Sequence, residues 1–213
     1  MNRRDVLRQL GALALLTVPA SSALAQKGDR FQTLDPAVPT DVEGKIEVIE
    51  FFHYACPHCR EFDPIVTPWA KALPADVAFS QAPVIWGSPP LRGLAQMYYA
   101  INAAKLTDAL HAKMFAVAQA PRPGQVNFTD ENTVRDWIGK QNVDAKAFMD
   151  AYKSFGVQAQ VRRAERLDKS YKVDGVPTMA VGGRFVTSAS QTGGHRALLK
   201  EVDGLIERIR RHG

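Results

Sequence analysis

The stretch "EFFHYACPHCREF", residues 50–62, places two cysteines three apart behind an apolar and aromatic run, with Pro57 and His58 between them. Just upstream, "KIEVIEFF" (45–52) is rich in β-branched and aromatic residues and reads as a buried strand. Downstream, Pro57 suits the first turn of a helix, where its missing N–H would have no partner in any case. Cys56 is then the expected N-cap. Its sulfur would face the unpaired N–H groups of the first turn and the positive end of the helix dipole, both of which favour thiolate over thiol. A cationic His58 would add a third stabilising contribution. Cys59, one turn further in, is expected to be more buried and less ionised, leaving Cys56 as the exposed sulfur.

The chain contains only these two cysteines. As a structural staple the pair is poor, because the loop-entropy contribution of a disulfide is smallest for the shortest loops. As a metal site it is also poor, since a structural zinc takes four ligands and there is no second cysteine pair. His53 and His58 would have to complete a mixed set, and His58 is badly placed to converge with both sulfurs. Arg60 stands where haem attachment would need a histidine. Redox chemistry accounts for the pair best. Stabilising the reduced form as a thiolate makes the disulfide a stronger oxidant. A pKa depression of roughly three units is equivalent to up to about 90 mV for a two-electron couple.

The compartment agrees with that reading. Residues 1–25, "MNRRDVLRQLGALALLTVPASSALA", have a basic start, a short apolar run from Leu10 to Val18 and a small-residue end at Ala23-Leu24-Ala25. That is the layout of a cleaved secretory signal, with twin-arginine and general export both open. The run falls short of the roughly 20 residues a membrane helix needs. Removal of this segment takes away three arginines and one aspartate and lowers the formal charge from +5 to +3. The remaining basic pairs, such as Arg162-Arg163 and Arg210-Arg211, are scattered without interleaved aromatics, so no nucleic-acid partner is expected.

A second motif, "DGVPTMAVGGRFV" (174–186), gives two short strands around Gly182-Gly183, which is a hairpin pattern. Pro177 begins the first of them, where a missing donor is tolerable even in an ordinary trans edge position.

Taken together, "CPHC" behind "VIEFF", "GVPTMAVGGRFV" and the secretory signal resemble the DsbA family of periplasmic thiol:disulfide oxidases, over essentially all of the mature chain. The resemblance implies an α/β thioredoxin-like fold with an inserted all-helical subdomain, an acidic Cys56 and a strongly oxidising Cys56–Cys59 disulfide. It also implies a cis Pro177 lying against the cysteine pair, with the Val176 backbone, followed by Thr178, free to pair with an extended substrate. Glu50, a carboxylate within an apolar strand, would exchange a proton with Cys59. Family members often pair this acid with a lysine on the next strand. Here that strand reads "VAFSQAP" with Gln81, which leaves the charge state of Glu50 open. His53 and Tyr54 are expected to line the site.

From Cys59 to Pro177 is 118 positions, far more than a bare thioredoxin fold uses to join its halves. Five segments of helical periodicity fill the gap, with Thr107, Thr129 and Asp144 as expected caps. The division is therefore a thioredoxin-like domain from 26–87 and 172–213, with a helical insertion over 88–171. "VAFSQAPVI" (77–85) supplies the strand before it, and "HRALLKEVDGLIERIRR" (195–211) a closing helix with Leu198, Val202, Leu205 and Ile209 on one stripe. Met97, Tyr98, Tyr99, Met114 and Phe115 read as packing residues of the insertion. Pro64 and Pro68 should kink the helix that begins at Pro57.

The function expected is that of a monomeric periplasmic oxidase, without metal or cofactor, that donates its disulfide to reduced, unfolded exported polypeptides. The resemblance implies reoxidation by a quinone-linked membrane partner of the DsbB type. The other readings are a disulfide reductase or isomerase, and a non-catalytic peptide- or copper-binding protein. In the expected mature chain only residues 26–47 precede "VIEFF", too few for the separate dimerisation domain that isomerases tend to carry.

Overall fold

The computed structural model describes residues 29–121 and 126–212, so residues 1–25, read from sequence as a secretory signal, lie outside the described residues. The chain runs β1 (Gln32–Thr33), β2 (Ile46–Phe52), α1 (Pro57–Lys71) and β3 (Val77–Pro83). Five helices follow: α2 (Pro89–Ala103), α3 (Thr107–Ala118), α4 (Glu131–Gly139), α5 (Ala145–Lys153) and α6 (Phe155–Ser170). The chain then returns through β4 (Thr178–Val181), β5 (Phe185–Ser188), α7 (Ala189–Thr192) and α8 (His195–His212). The sheet has the order β1-β5-β4-β2-β3. β2 pairs in parallel with β3 through the α1 crossover and antiparallel with β4. This is a thioredoxin-like sheet with an all-helical insertion between β3 and β4.

β2 is covered on both faces, which is why its residues from Glu47 to Phe52 are all buried rather than alternating. Val48 joins Phe62 and Val66 of α1 and Leu198, Val202 and Leu205 of α8 in one core. Ile49 and Phe51 point the other way, to Val84, Tyr171 and Ala180. Phe52, Tyr54, Cys56 and Cys59 belong to a third cluster, the one built by the inserted helices around Met97, Ile101, Leu110 and Met114. The cysteine pair thus lies where the sheet domain meets the insertion. Met97, Tyr98, Met114 and Phe115 are buried as expected, and Tyr99 is partly buried.

α1 carries Pro64 and Pro68 within a single helix that buries Cys59, Phe62 and Val66. Two expected caps are corrected. Thr107 is the first residue of α3, and its hydroxyl donates to Asn102 Oδ1 instead of capping the helix. Thr129 gives way to Asp130, whose carboxylate accepts from Thr133 N–H. Asp144 caps α5 as read, accepting from Ala147 N–H. The Gly182-Gly183 turn is required by its surroundings, since both glycines have positive φ and a Cβ on Gly183 would lie 2.0 Å from the Val38 carbonyl oxygen.

Candidate active site

Cys56 caps α1 from an extended backbone, with Pro57 at the first helical position. The Cys59 N–H points at Cys56 Sγ across 3.4 Å, and the Cys56 thiol in turn donates to the Val176 carbonyl at 3.6 Å. The two thiols are free. Their surroundings split them apart. The Cys59 side chain, donating to Cys56, lowers the Cys56 pKa to about 6 against the opposing effect of burial, helped by the N–H groups of Cys59 and His58 and by the charge of His58. The same hydrogen bond, together with burial, pushes Cys59 far up. Cys59 is 1% exposed, as expected of the inner residue, but Cys56 is only 7% exposed. It is recessed beneath the Val176 turn rather than open.

The Val176–Pro177 peptide is cis, as the resemblance implied. Pro177 therefore follows directly on the carbonyl that meets Cys56. Thr178 is buried, and its hydroxyl turns back to the Gly175 carbonyl at 2.8 Å. His58 projects outward, its side chain 72% exposed and Nδ1 3.4 Å from Glu61 Oε2. Glu50 lies in mid-strand, 1% exposed, and accepts from Gln81 Nε2 at 2.8 Å. Burial raises its pKa to about 8, with the Gln81 hydrogen bond opposing. Its charge is felt at Cys59, where it raises the pKa further. His53 packs edge-on against Trp86, and burial lowers its pKa.

Two participants were missed in the sequence, both on α3 and the residue that follows it. His111 Nδ1 meets the Tyr54 hydroxyl at 2.8 Å while Nε2 meets Asp63 Oδ1 at 3.0 Å. Gln119 Nε2 donates to the Tyr54 carbonyl at 2.9 Å and to the Cys56 carbonyl at 3.0 Å. No spacing marks either residue, because their partners lie 48 to 65 positions away and come close only through the fold. Beside the turn, Ala55, Leu91, Leu94, Ala118, Val126 and Phe128 line an apolar groove of about 750 Å³. Among the described residues, no group of three or more His, Cys, Asp or Glu is arranged to hold a metal ion, and no helix is long and apolar enough to cross a membrane.

A thioredoxin-like sheet that presents an N-cap cysteine of lowered pKa, with a second cysteine one turn inside and a cis-proline turn over them, defines a thiol:disulfide oxidoreductase. Residues 86–195 match the family model of the DSBA-like thioredoxin domain, a stretch that begins after the cysteine pair. Similarity to whole relatives covers the pair as well. The thiol:disulfide interchange protein DsbA of Bordetella parapertussis is 39% identical over 201 residues, 94% of each chain. That of Pseudomonas aeruginosa is 32% identical over 96% of this chain and 98% of its own. The crystal structure of Pseudomonas aeruginosa DsbA superposes with a TM-score of 0.78 at 33% identity, covering 86% of this chain and 93% of that one. The chain belongs to the DsbA family.

Proposed function

We propose that the protein oxidises reduced, unfolded polypeptides by donating its Cys56–Cys59 disulfide. The observation that carries this is the split between the two sulfurs, with Cys56 lowered to about 6 and Cys59 raised. A substrate thiolate attacks the Cys56 sulfur, the Cys56–Cys59 bond breaks, and Cys59 leaves with the electron pair. Glu50, protonated below about pH 8, supplies the proton that this thiolate takes up. A second substrate thiolate then attacks the substrate sulfur of the mixed disulfide and expels Cys56, which is stable as thiolate. The substrate leaves oxidised by two electrons and the enzyme reduced by two. Because Cys56 is ionised in the reduced form only, the forward direction is favoured.

An extended substrate segment would pair with the backbone at Val176, beside Pro177 and Thr178, and its apolar side chains would find the groove next to Ala55. Exposed His58 tunes Cys56 through charge. We assign the site to an exported, monomeric, periplasmic protein with residues 1–25 as its signal. A thioredoxin-like domain at 26–87 and 172–213 flanks the insertion at 88–171. Reoxidation falls to a quinone-linked membrane oxidase of the DsbB type, since the family relation argues for such a partner. The test is the reduction potential of the mature protein equilibrated with glutathione buffers. A value near about −120 mV supports a donor of disulfides, and one near about −270 mV makes the protein a reductase.

A further inference from the structure

Gln119 is the residue that follows α3, and its side chain reaches out of the helical insertion to the turn that carries Cys56. One amide nitrogen has two hydrogens, and here they go to two carbonyls that bracket Ala55: Tyr54 at 2.9 Å and Cys56 at 3.0 Å. The Cys56 carbonyl has a second donor in Arg60 N–H at 3.2 Å. For the Tyr54 carbonyl, Gln119 is the one donor among the described residues. The same face of α3 holds the Tyr54 side chain. Phe115 packs edge-on against its ring at 4.9 Å, and His111 bonds its hydroxyl. His111, Phe115 and Gln119 are spaced by four, so they share one face.

We infer that Gln119 is a positioning residue for the redox reaction, fixing the 54–56 turn from the insertion so that Cys56 Sγ stays within reach of the N–H groups opening α1. The inference rests on the oxidase reading above. A sulfur at an N-cap is stabilised as thiolate only while it stays close to those donors, since the influence of the helix end fades within the first turn. The contact from Cys59 N–H is 3.4 Å, an ordinary separation for a sulfur acceptor, and it lengthens as soon as the turn moves away from α1. Without Gln119 the buried Tyr54 carbonyl is left without a donor, and the turn must shift toward water to make good the loss. The sulfur moves with it. The helical insertion therefore sets the oxidising strength of a disulfide that belongs to the sheet domain.

The experiment compares wild type with Gln119→Met, which keeps length and volume and removes the donors, and with Gln119→Asn, which keeps the amide but shortens its reach. Ile138→Ala, a cavity in α4 that removes no hydrogen-bond partner of the turn, serves as a reference for lost stability alone. Thiolate absorbance of the reduced protein gives the Cys56 pKa, and glutathione equilibration gives the potential. Both Gln119 variants should raise the pKa, Gln119→Met by about one unit, and lower the equilibrium constant for oxidising glutathione about tenfold. That change is about 30 mV. Ile138→Ala should lower the melting temperature and leave both values alone. If the Gln119 variants melt earlier but keep the wild-type pKa and potential, the residue is only structural and the inference is overturned. If wild type itself shows no depressed pKa, it is the oxidase reading that fails. Should Gln119→Met not fold, Gln119→Asn decides by the same two values.

Discussion

Gln81 donates its side-chain amide to Glu50 across 2.8 Å, and the two residues face each other in the parallel register of β3 and β2. A neutral amide offers a carboxylate far less than a cation would, so burial dominates and the Glu50 pKa rises from 4.5 to about 8. Between those values the unfolded chain has lost the proton that the folded chain still holds, so stability falls as pH rises. At pH 7 the penalty is about 3 kcal/mol. Glu50→Gln should therefore stabilise the reduced protein by about 1–3 kcal/mol at pH 7, with the gain vanishing toward pH 4.5, and slow proton uptake by Cys59. Denaturant melts across that pH range check it; a gain independent of pH would show that the carboxyl does not titrate as stated.

Cys56 titrates with the opposite sign. Its folded pKa of about 6 lies below the ordinary value of 9.0, so its contribution to the stability of the reduced form is fully present above pH 9 and is lost as pH falls through about 6. The thiolate absorbance of the reduced protein should show a midpoint near pH 6, absent in Cys56→Ala. The reduced form should gain stability over the oxidised form as the pH is raised from 6 toward 9.

The two cysteines should fail differently. Cys59→Ala removes the thiol that would attack Cys56 and release it, so mixed disulfides formed when the Cys56 thiolate attacks a disulfide-bonded or glutathionylated polypeptide should persist and be visible on non-reducing gels. Cys56→Ala should form none. Trapping at Cys59 in the second variant would reverse the roles assigned here.

Gly183 has φ of +68° and accepts a backbone hydrogen bond from Val38 N–H at 2.8 Å, which pins the chain where a side chain would need room. Gly183→Ala should cost about 2–4 kcal/mol through left-handed strain and the clash with the Val38 carbonyl. The Cys56 midpoint should stay near 6, because the turn lies at the far end of β4 from Pro177. Chemical denaturation and thiolate titration of the same variant separate the two effects.

Much of this was legible because it is local. The N-cap role of Cys56, the strand before it, and the hairpin around Gly182-Gly183 depend on residues within a few positions of each other, and their sequence signals are strong. The cis geometry at Pro177 came instead from resemblance, which is also the source of the proposal that Glu50 exchanges a proton with Cys59. What sequence did not offer is distant pairing. Gln119 on the Cys56 turn and His111 between Tyr54 and Asp63 use residue types that occur on any solvated helix face, and only the packing of α3 gives them partners. Two-residue β1 has no periodicity to read; it exists because β5 offers it an edge. The continuity of α1 through Pro64 and Pro68 is likewise a tertiary result, since propensity alone argues against it.

The Cys56 sulfur and the Val176 carbonyl that meets it are 120 positions apart in the chain. The groups that lower the Cys56 pKa belong to Cys59 and His58, whereas the carbonyl that covers its sulfur arrives only with the turn before β4. Acidity is thus set within the α1 end itself, and shelter of the sulfur is conferred by the finished fold. With no third cysteine in its own sequence, the protein can hold a sheltered disulfide with no rival partner inside its own chain.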